Sequence, residues 1–64
     1  MNSFELKPNE QIRIGDMIKN QLKNHIGKVV NITVDSLNNT IIHYTSNGKI
    51  FKESDHNIFK IQFK

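Results

Sequence analysis

The sequence contains no cysteine, no tryptophan, a single proline and a single arginine, and none of its apolar runs exceeds two residues. Without cysteine the chain has neither disulfide bonds nor thiolate ligands for zinc, so packing or a partner must stabilise it. The short apolar runs leave no segment for a transmembrane helix, and the N-terminus lacks the basic and apolar stretches of a signal peptide. We therefore expect a cytoplasmic protein that does not bind membranes.

The length of the chain limits it to one small core. A domain of 64 residues buries only about 60% of the surface that it exposes when unfolded, and it has no second domain to close over a substrate. Hydrophobic residues make up 36% and charged residues 23%, a balance that is typical of a folded domain. The formal charge of +3 permits contact with nucleic acid but is a modest excess.

The segment from residue 28 onward alternates apolar and polar residues, as β-strands do. Residues 28–35 place Val30, Ile32 and Val34 on one face. A polar, asparagine-rich turn follows, and the β-branched and aromatic segment 40–45 completes a hairpin.

A second hairpin is predicted by Asn47 and Gly48, because a type I′ turn requires positive φ at both central positions. The third strand is expected at about 49–53, and a polar connection leads to a last strand at 58–63. The residues that share one face of this last strand, expected to be the core face, are Phe59, Ile61 and Phe63.

Two structures are compatible with the residues before the first hairpin. Apolar residues recur at every fourth position, Asp16 stands where an N-cap would be and Gly27 where a C-terminal cap would be, which favours a helix over 17–26. The alternative is a strand at 11–14, a turn at Gly15 and Asp16, and a loop. The apolar positions of the helix would be Ile14, Ile18, Leu22 and Ile26.

Residues 1–10 are polar and are expected to form a flexible lead-in, in which Phe4 and Leu6 either begin an edge strand or pack as a loose arm. Residues 11–64 would then be the single domain. We expect a mainly β, strongly bent small barrel of four to five antiparallel strands, because so few strands cannot bury two faces as an open sheet.

Several segments resemble the SH3-like small barrels of the KOW and Tudor kind. They are residues 15–18, residues 27–32 and residues 42–44, followed by a turn and a closing strand. Within them, the Gly-x-Val-x-x-Ile pattern at Gly27, Val29 and Ile32 is similar to the core of the KOW motif.

Residues 55–61, with the sequence Asp-His-Asn-Ile-Phe-Lys-Ile, and the pair Gly15 and Ile18 resemble more closely a family of uncharacterised short proteins of Firmicutes and their phages, the YkvS type. These resemblances imply an SH3-like fold, an origin in such a bacterium or phage, and a binding module. Its ligand would be RNA, DNA or a nucleoprotein, and it would not be a catalyst.

No group of residues in the sequence suggests catalysis or a metal site. His25, His43 and His56 are far apart in sequence and have no thiolate to complete a tetrahedral site. The carboxylates are scattered, and Asp16 and Asp55 suit caps or turns better than acid catalysis. We therefore expect a non-enzymatic protein without a cofactor or bound metal.

Binding of nucleic acid is the function that the basic residues favour. Lys19 and Lys23 would share one side of the predicted helix, and Lys60 the outward face of the last strand. The candidate binding lysines are Lys19, Lys23, Lys28, Lys49, Lys52 and Lys60.

Exposed aromatic rings would complete such a site by stacking on bases. Tyr44 and Phe51 are the candidates, although Phe51, Phe59 and Phe63 also suit the core of a small barrel. Because Arg13 is the only arginine, bidentate base recognition is not expected, and binding should be weak and sensitive to salt.

A protein-interaction module is the alternative. Phe4, Leu6 and Ile41 are candidate exposed apolar residues at a groove or strand edge. The partner would then be a host protein, if the chain is of phage origin, or a second copy in a weak homodimer.

Overall fold

The computed structural model describes residues 4–7 and 10–63 and is mainly β. Its elements are β1 (Phe4–Lys7), β2 (Met17–Asn20), β3 (His25–Val34), β4 (Thr40–Ser46), β5 (Lys49–Ser54), a 3-10 turn (Asp55–Asn57) and β6 (Ile58–Phe63). The 3-10 turn is the only helical element among the described residues. The mainly β fold class is therefore confirmed.

All six strands belong to one antiparallel sheet with the order β1-β6-β2-β3-β4-β5. The strands β2 to β5 follow one another as hairpins, β6 returns to pair with β2, and β1 pairs with the far side of β6. The sheet has six strands rather than the expected four to five, because the return of β6 brings it beside the N-terminal segment.

Asparagine and glycine make the tight turns. Asn47 and Gly48 have φ values of 52° and 78°, as the predicted type I′ turn between β4 and β5 requires. Asn38, with φ of 65°, lies in the connection between β3 and β4, where Asp35 accepts hydrogen bonds from the backbone N–H groups of Leu37 and Asn39. Both predicted hairpins are confirmed.

The predicted helix over 17–26 is wrong. Met17–Asn20 and His25–Val34 are strands joined by a turn at residues 21–24. The turn has two local features: the Asn20 side chain accepts hydrogen bonds from the N–H groups of Leu22 and Lys23, and Asn24 has a φ of 58°. The hydrogen bonds to Asn20 hold the chain in a turn. The positive φ of Asn24 is incompatible with an α-helix, in which φ is negative.

The alternation expected in the first long strand holds for Ile32 and Val34, which share one face, but not for Val30. A β-bulge between Val29 and Asn31 adds one residue to β3. Val29 is buried as a result and Val30 is exposed, while Ile32 packs against the core. The bulge also explains the Gly-x-Val-x-x-Ile spacing, since it returns Ile32 to the face of Gly27 and Val29.

In β6 the prediction that Phe59, Ile61 and Phe63 share one face agrees with the alternation of the strand, but of these three residues only Ile61 is buried, as the assignment of that face to the core expected. Asn20 pairs with Ile58, and Ile18 pairs with Lys60. Cross-strand partners share a face, so the even-numbered residues of β6 face the core. Ile58 is in the core cluster, whereas Ile61 is buried outside it and Phe63 is 60% exposed.

The core lies on one side of the sheet, which we call the inner face. It consists of Ile18, Val29, Ile42, Tyr44 and Ile58, with Ile12, Ile32 and Phe51 packed against it. We call the opposite side the outer face.

The sheet curls strongly around this core. β5 is three strands from β2 in the sheet order, which corresponds to about 14 Å in a flat sheet. Nevertheless, Asn20 Nδ2 of β2 donates a hydrogen bond of 3.2 Å to Glu53 Oε1 of β5. The inner face is therefore concave and the outer face convex.

Residues 4–7 of the expected lead-in are the edge strand β1, paired with β6 from Phe4 opposite Phe63 to Lys7 opposite Lys60. This is one of the two alternatives that the sequence left open. The flexibility of the lead-in stays a prediction, and its residues 1–3, 8 and 9 lie outside the described residues.

Gly27 lies where β3 and β4 approach each other closely. It is buried in β3, and a Cβ added there would overlap the Thr45 carbonyl oxygen and would stand 2.9 Å from Tyr44 Cδ2. The glycine was expected at the end of a helix, but its role is to let β3 approach β4 beside the Tyr44 ring.

Replacing Gly27 with alanine should destabilise the fold by about 1–3 kcal/mol, the usual effect of overpacking a core, because a backbone oxygen cannot move aside without breaking the strand pairing. Urea denaturation followed by circular dichroism measures the change. Val34→Ala, at an exposed position of the same strand, is the control and should change stability much less. Equal stability of Gly27→Ala and the unmodified chain would contradict the close approach.

Candidate nucleic-acid interface

Three of the six candidate lysines lie on the outer face. Lys19 pairs with Ile26 and Phe59 across its two neighbouring strands. Lys28 pairs with Met17 and Thr45, and Lys52 pairs with His43. Since cross-strand partners share a face, these lysines project from β2, β3 and β5 on the side away from the core.

The other three candidate lysines do not share that face. Lys23 lies in the turn at residues 21–24. Lys49 pairs with Ser46, which is buried on the inner face. Lys60 was expected to point outward, but the register of β6 with β2 places it on the inner side, where its Nζ is 3.6 Å from Asp16 Oδ2.

The outer face of the described strands contains no carboxylate. Only Glu5 and Glu53 are acidic among the strand residues, and both lie on the inner side, opposite Gln62 and Ile42 respectively. The remaining described carboxylates, in turns and loops, are Glu10, Asp16, Asp35 and Asp55. The lysines of the outer face therefore form a cationic surface without acidic neighbours on the strands.

The two aromatic residues predicted to stack on bases are not available for it. Tyr44 is fully buried, and Phe51 is half-buried against it with a centroid separation of 5.6 Å and nearly parallel rings. The alternation of β4 explains this, since Tyr44 shares the inner face with Ile42. Phe51, directly opposite Tyr44 on β5, joins the same cluster, as the core assignment expected.

Two phenylalanines that the sequence did not assign to the site are exposed on the outer face instead. Phe4 is 47% exposed and Phe63 is 60% exposed, and their rings meet edge to face at 6.2 Å. Phe59 lies between this pair and Lys19 along the same face. The alternation of β6 indicates that Phe59 and Phe63 share a face. Only the pairing of β6 with β2 shows that this is the outer face.

The concave side holds a network of buried and partly buried polar groups. Asn20 is fully buried and donates from Nδ2 to both Tyr44 Oη, at 2.9 Å, and Glu53 Oε1. The Tyr44 hydroxyl also lies 2.9 Å from His25 Nδ1. The Tyr44 hydroxyl therefore joins Asn20 and His25 in one hydrogen-bonded chain.

Glu53 completes the network. Its Oε2 accepts hydrogen bonds from Asn57 Nδ2 at 3.0 Å and from the N–H of Ser54. The bond from Asn57, with those from Asn20 and Ser54 and the nearby charge of Lys23, lowers the pKa of this carboxyl below its usual 4.5, against the opposing effect of burial. The ionised carboxylate thus stabilises the 3-10 turn against β2.

A cleft of about 560 Å³ opens elsewhere on the concave side. Isoleucines from four segments form its apolar part, and Glu10, Gln11, Thr40 and Asp55 supply the polar groups. The isoleucines are Ile12, Ile32, Ile42 and Ile58. Asp55 begins the 3-10 turn, as its predicted role in a turn requires, and Asp16 accepts a hydrogen bond from the Arg13 N–H in another turn.

The three histidines have separate surroundings. His43 lies on the outer face with Nε2 2.7 Å from the Thr33 hydroxyl, and His56 lies in the 3-10 turn beside Ser54. His25 belongs to the buried network. Over residues 4–7 and 10–63, no three side chains of His, Cys, Asp or Glu are grouped so that they could hold a metal ion.

In the same described part of the chain, no helix is long and apolar enough to cross a membrane. Comparisons with protein-family models, with curated proteins and with solved structures found no match.

The lowered pKa of Glu53 predicts a specific acid sensitivity. A carboxyl whose pKa is lower in the folded than in the unfolded state stabilises the fold above the unfolded pKa, and this contribution is lost as the pH falls through the folded pKa. Glu53→Gln should therefore lower the melting temperature at pH 7 and flatten its decrease below about pH 5.

Melting followed by circular dichroism between pH 7 and the acid range measures this effect. Glu10→Gln removes one carboxyl from an exposed residue and controls for the change in net charge. Asp35, whose pKa is also lowered by hydrogen bonds from Asn39 and Leu37, should retain part of the acid dependence in both variants. Parallel pH curves for Glu53→Gln and the unmodified chain would show that the carboxylate network does not stabilise the fold.

Proposed function

We propose that this chain is a non-enzymatic binding module of the SH3-like small-barrel type that binds nucleic acid weakly through its outer face. The observation that carries the proposal is the arrangement of Lys19, Lys28 and Lys52 on a strand surface without a carboxylate. Phosphate groups are attracted to such a surface, and no acidic side chain on these strands opposes them.

The composition of the surface suits contact with a phosphate backbone. β2 and β5 are the first and last of four neighbouring strands, so the lysines are spread over the convex side of the curled sheet. None of the residues on this face is an arginine, and lysine acts as a point charge rather than a bidentate reader of bases. The proposed binding therefore depends on phosphates and tolerates many sequences.

The curl of the sheet supports the SH3-like part of the proposal. The hydrogen bond from Asn20 to Glu53 joins β2 to β5, and Ile42 of β4 shares a core with Ile58 of β6. A short sheet bent in this way buries one concave face and leaves the convex one for binding, as the resemblance to small barrels implies.

Replacing each outer lysine with glutamine should weaken binding and its dependence on salt. For a single-stranded oligonucleotide, the slope of log K against log salt concentration should fall by about 0.7 for each phosphate contact that is lost. Fluorescence anisotropy titrations of a labelled 12-mer at several salt concentrations measure both quantities for Lys19→Gln, Lys28→Gln and Lys52→Gln.

Lys49→Gln is the matched control, because it removes the same charge from a position off the outer face. It should leave the slope nearly unchanged. Equal losses for Lys49→Gln and Lys28→Gln would assign the effect to net charge alone. Absence of any binding by the unmodified chain at low salt would overturn the proposed function.

The concave cleft favours a second candidate function, the recognition of a protein. Its aliphatic floor and the carboxyl groups of Glu10 and Asp55 at its polar part suit a segment that carries both apolar and basic side chains. Phe4, Leu6 and Ile41 were predicted to be exposed for this role. Phe4 is exposed, whereas Leu6 and Ile41 are half-buried. A homodimer or a host protein as the partner stays a prediction.

A further inference from the structure

The exposed pair of Phe4 and Phe63 is unusual for so small a protein. The two residues are cross-strand partners on β1 and β6, and neither belongs to the core cluster. Each ring contacts the other by its edge or face, which leaves aromatic surface open to solvent on the outer side. Large exposed aromatic groups of this kind mark binding surfaces more often than isolated aliphatic ones do.

The pair is continuous with the cationic surface. Along β6, the outer face carries Phe63, Ile61 and Phe59 in turn, and Phe59 lies directly opposite Lys19. Phe63 and Phe59 are four positions apart on the strand, which corresponds to about 13 Å. A ligand that contacts Phe63 can therefore reach Lys19 by extending along the strand.

The combination of lysines and exposed rings selects between the two forms of nucleic acid. In a duplex, the base faces are stacked on each other, so only the phosphates could contact this surface. In a single strand the base faces are free, and stacking on aromatic rings is strong and independent of sequence. The face carries no arginine among the described residues, so the bidentate arginine contact to guanine is absent from it.

We infer that the Phe4–Phe63 pair is a base-stacking subsite and that the ligand of the outer face is single-stranded nucleic acid. This inference rests on the proposed function. The base of one nucleotide stacks on the Phe63 ring, Phe4 holds that ring from its side, and the following phosphates reach Lys19 and then Lys28. A second copy of this chain, docked through the same rings, is the competing occupant that the experiment must separate.

Phe63→Leu and Phe4→Leu test the subsite, because leucine keeps apolar bulk and removes the ring. Binding of labelled single-stranded dT12 and rU12 and of a 12-base-pair DNA duplex is measured by fluorescence anisotropy at low salt. Leu22→Ala, which shortens an exposed apolar side chain in the turn after β2, is the control. Circular dichroism melting of each variant shows that the fold is retained.

The unmodified chain should bind both single strands more tightly than the duplex. Phe63→Leu should weaken single-strand binding at least about fivefold, as expected for the loss of one stacked base. Its salt dependence should be unchanged, since no phosphate contact is lost, and its duplex affinity should stay the same. Leu22→Ala should match the unmodified chain, and a difference between dT12 and rU12 would tell which nucleic acid is preferred within the same class.

Two results would overturn the inference in distinguishable ways. If Phe63→Leu binds the single strands as well as the unmodified chain does, the rings are not a subsite, while a lysine-dependent salt slope still supports the proposed function. If sedimentation equilibrium shows a dimer that Phe63→Leu dissociates, with no change in single-strand affinity, the rings belong to an interface between copies.

Discussion

The hydrogen bonds of the buried Asn20 side chain are the constraint on which the rest of the structure depends. Its Nδ2 reaches Tyr44 and Glu53, on two different strands, while its Oδ1 fixes the turn that follows β2. A buried amide without these partners would be costly, so β2 is stable at this place only when the sheet is curled. The curl in turn decides which side chains are enclosed and which face outward.

The hairpins were the part of the fold that the sequence could predict. Their signals are local: Asn47 and Gly48 adopt positive φ, and alternating residues on either side pair across the turn. The segment before them could not be predicted in the same way. Its apolar residues recur at every fourth position, which also fits a helix. The choice between strand and helix depends on pairing with β6, about forty residues away along the chain.

In the candidate site, too, the sequence predicted the types of residue but not the face on which each of them lies. Lysines were expected to form the surface, and Lys19, Lys28 and Lys52 share a face, but Lys60 does not, because its face is set by the register of β6. Tyr44 was predicted to be the exposed aromatic residue, but Phe63 is exposed instead, and this too depends on which face of each strand is covered. Alternation shows which residues share a side of a strand, whereas only long-range pairing and the bulge in β3 show which side is covered.

The two sides of the sheet differ in character: the convex one carries lysines and phenylalanines, and the concave one holds an aliphatic cleft. The most direct test of the proposed function is an NMR titration with a single-stranded oligonucleotide in which the lysine Cε and phenylalanine ring signals are assigned and followed. We expect the signals of Lys19, Lys28 and Phe63 to shift together, with those of Lys49 unaffected. Shifts confined to the methyl groups of Ile12 and Ile32 in the cleft, or no shifts at all, would contradict it.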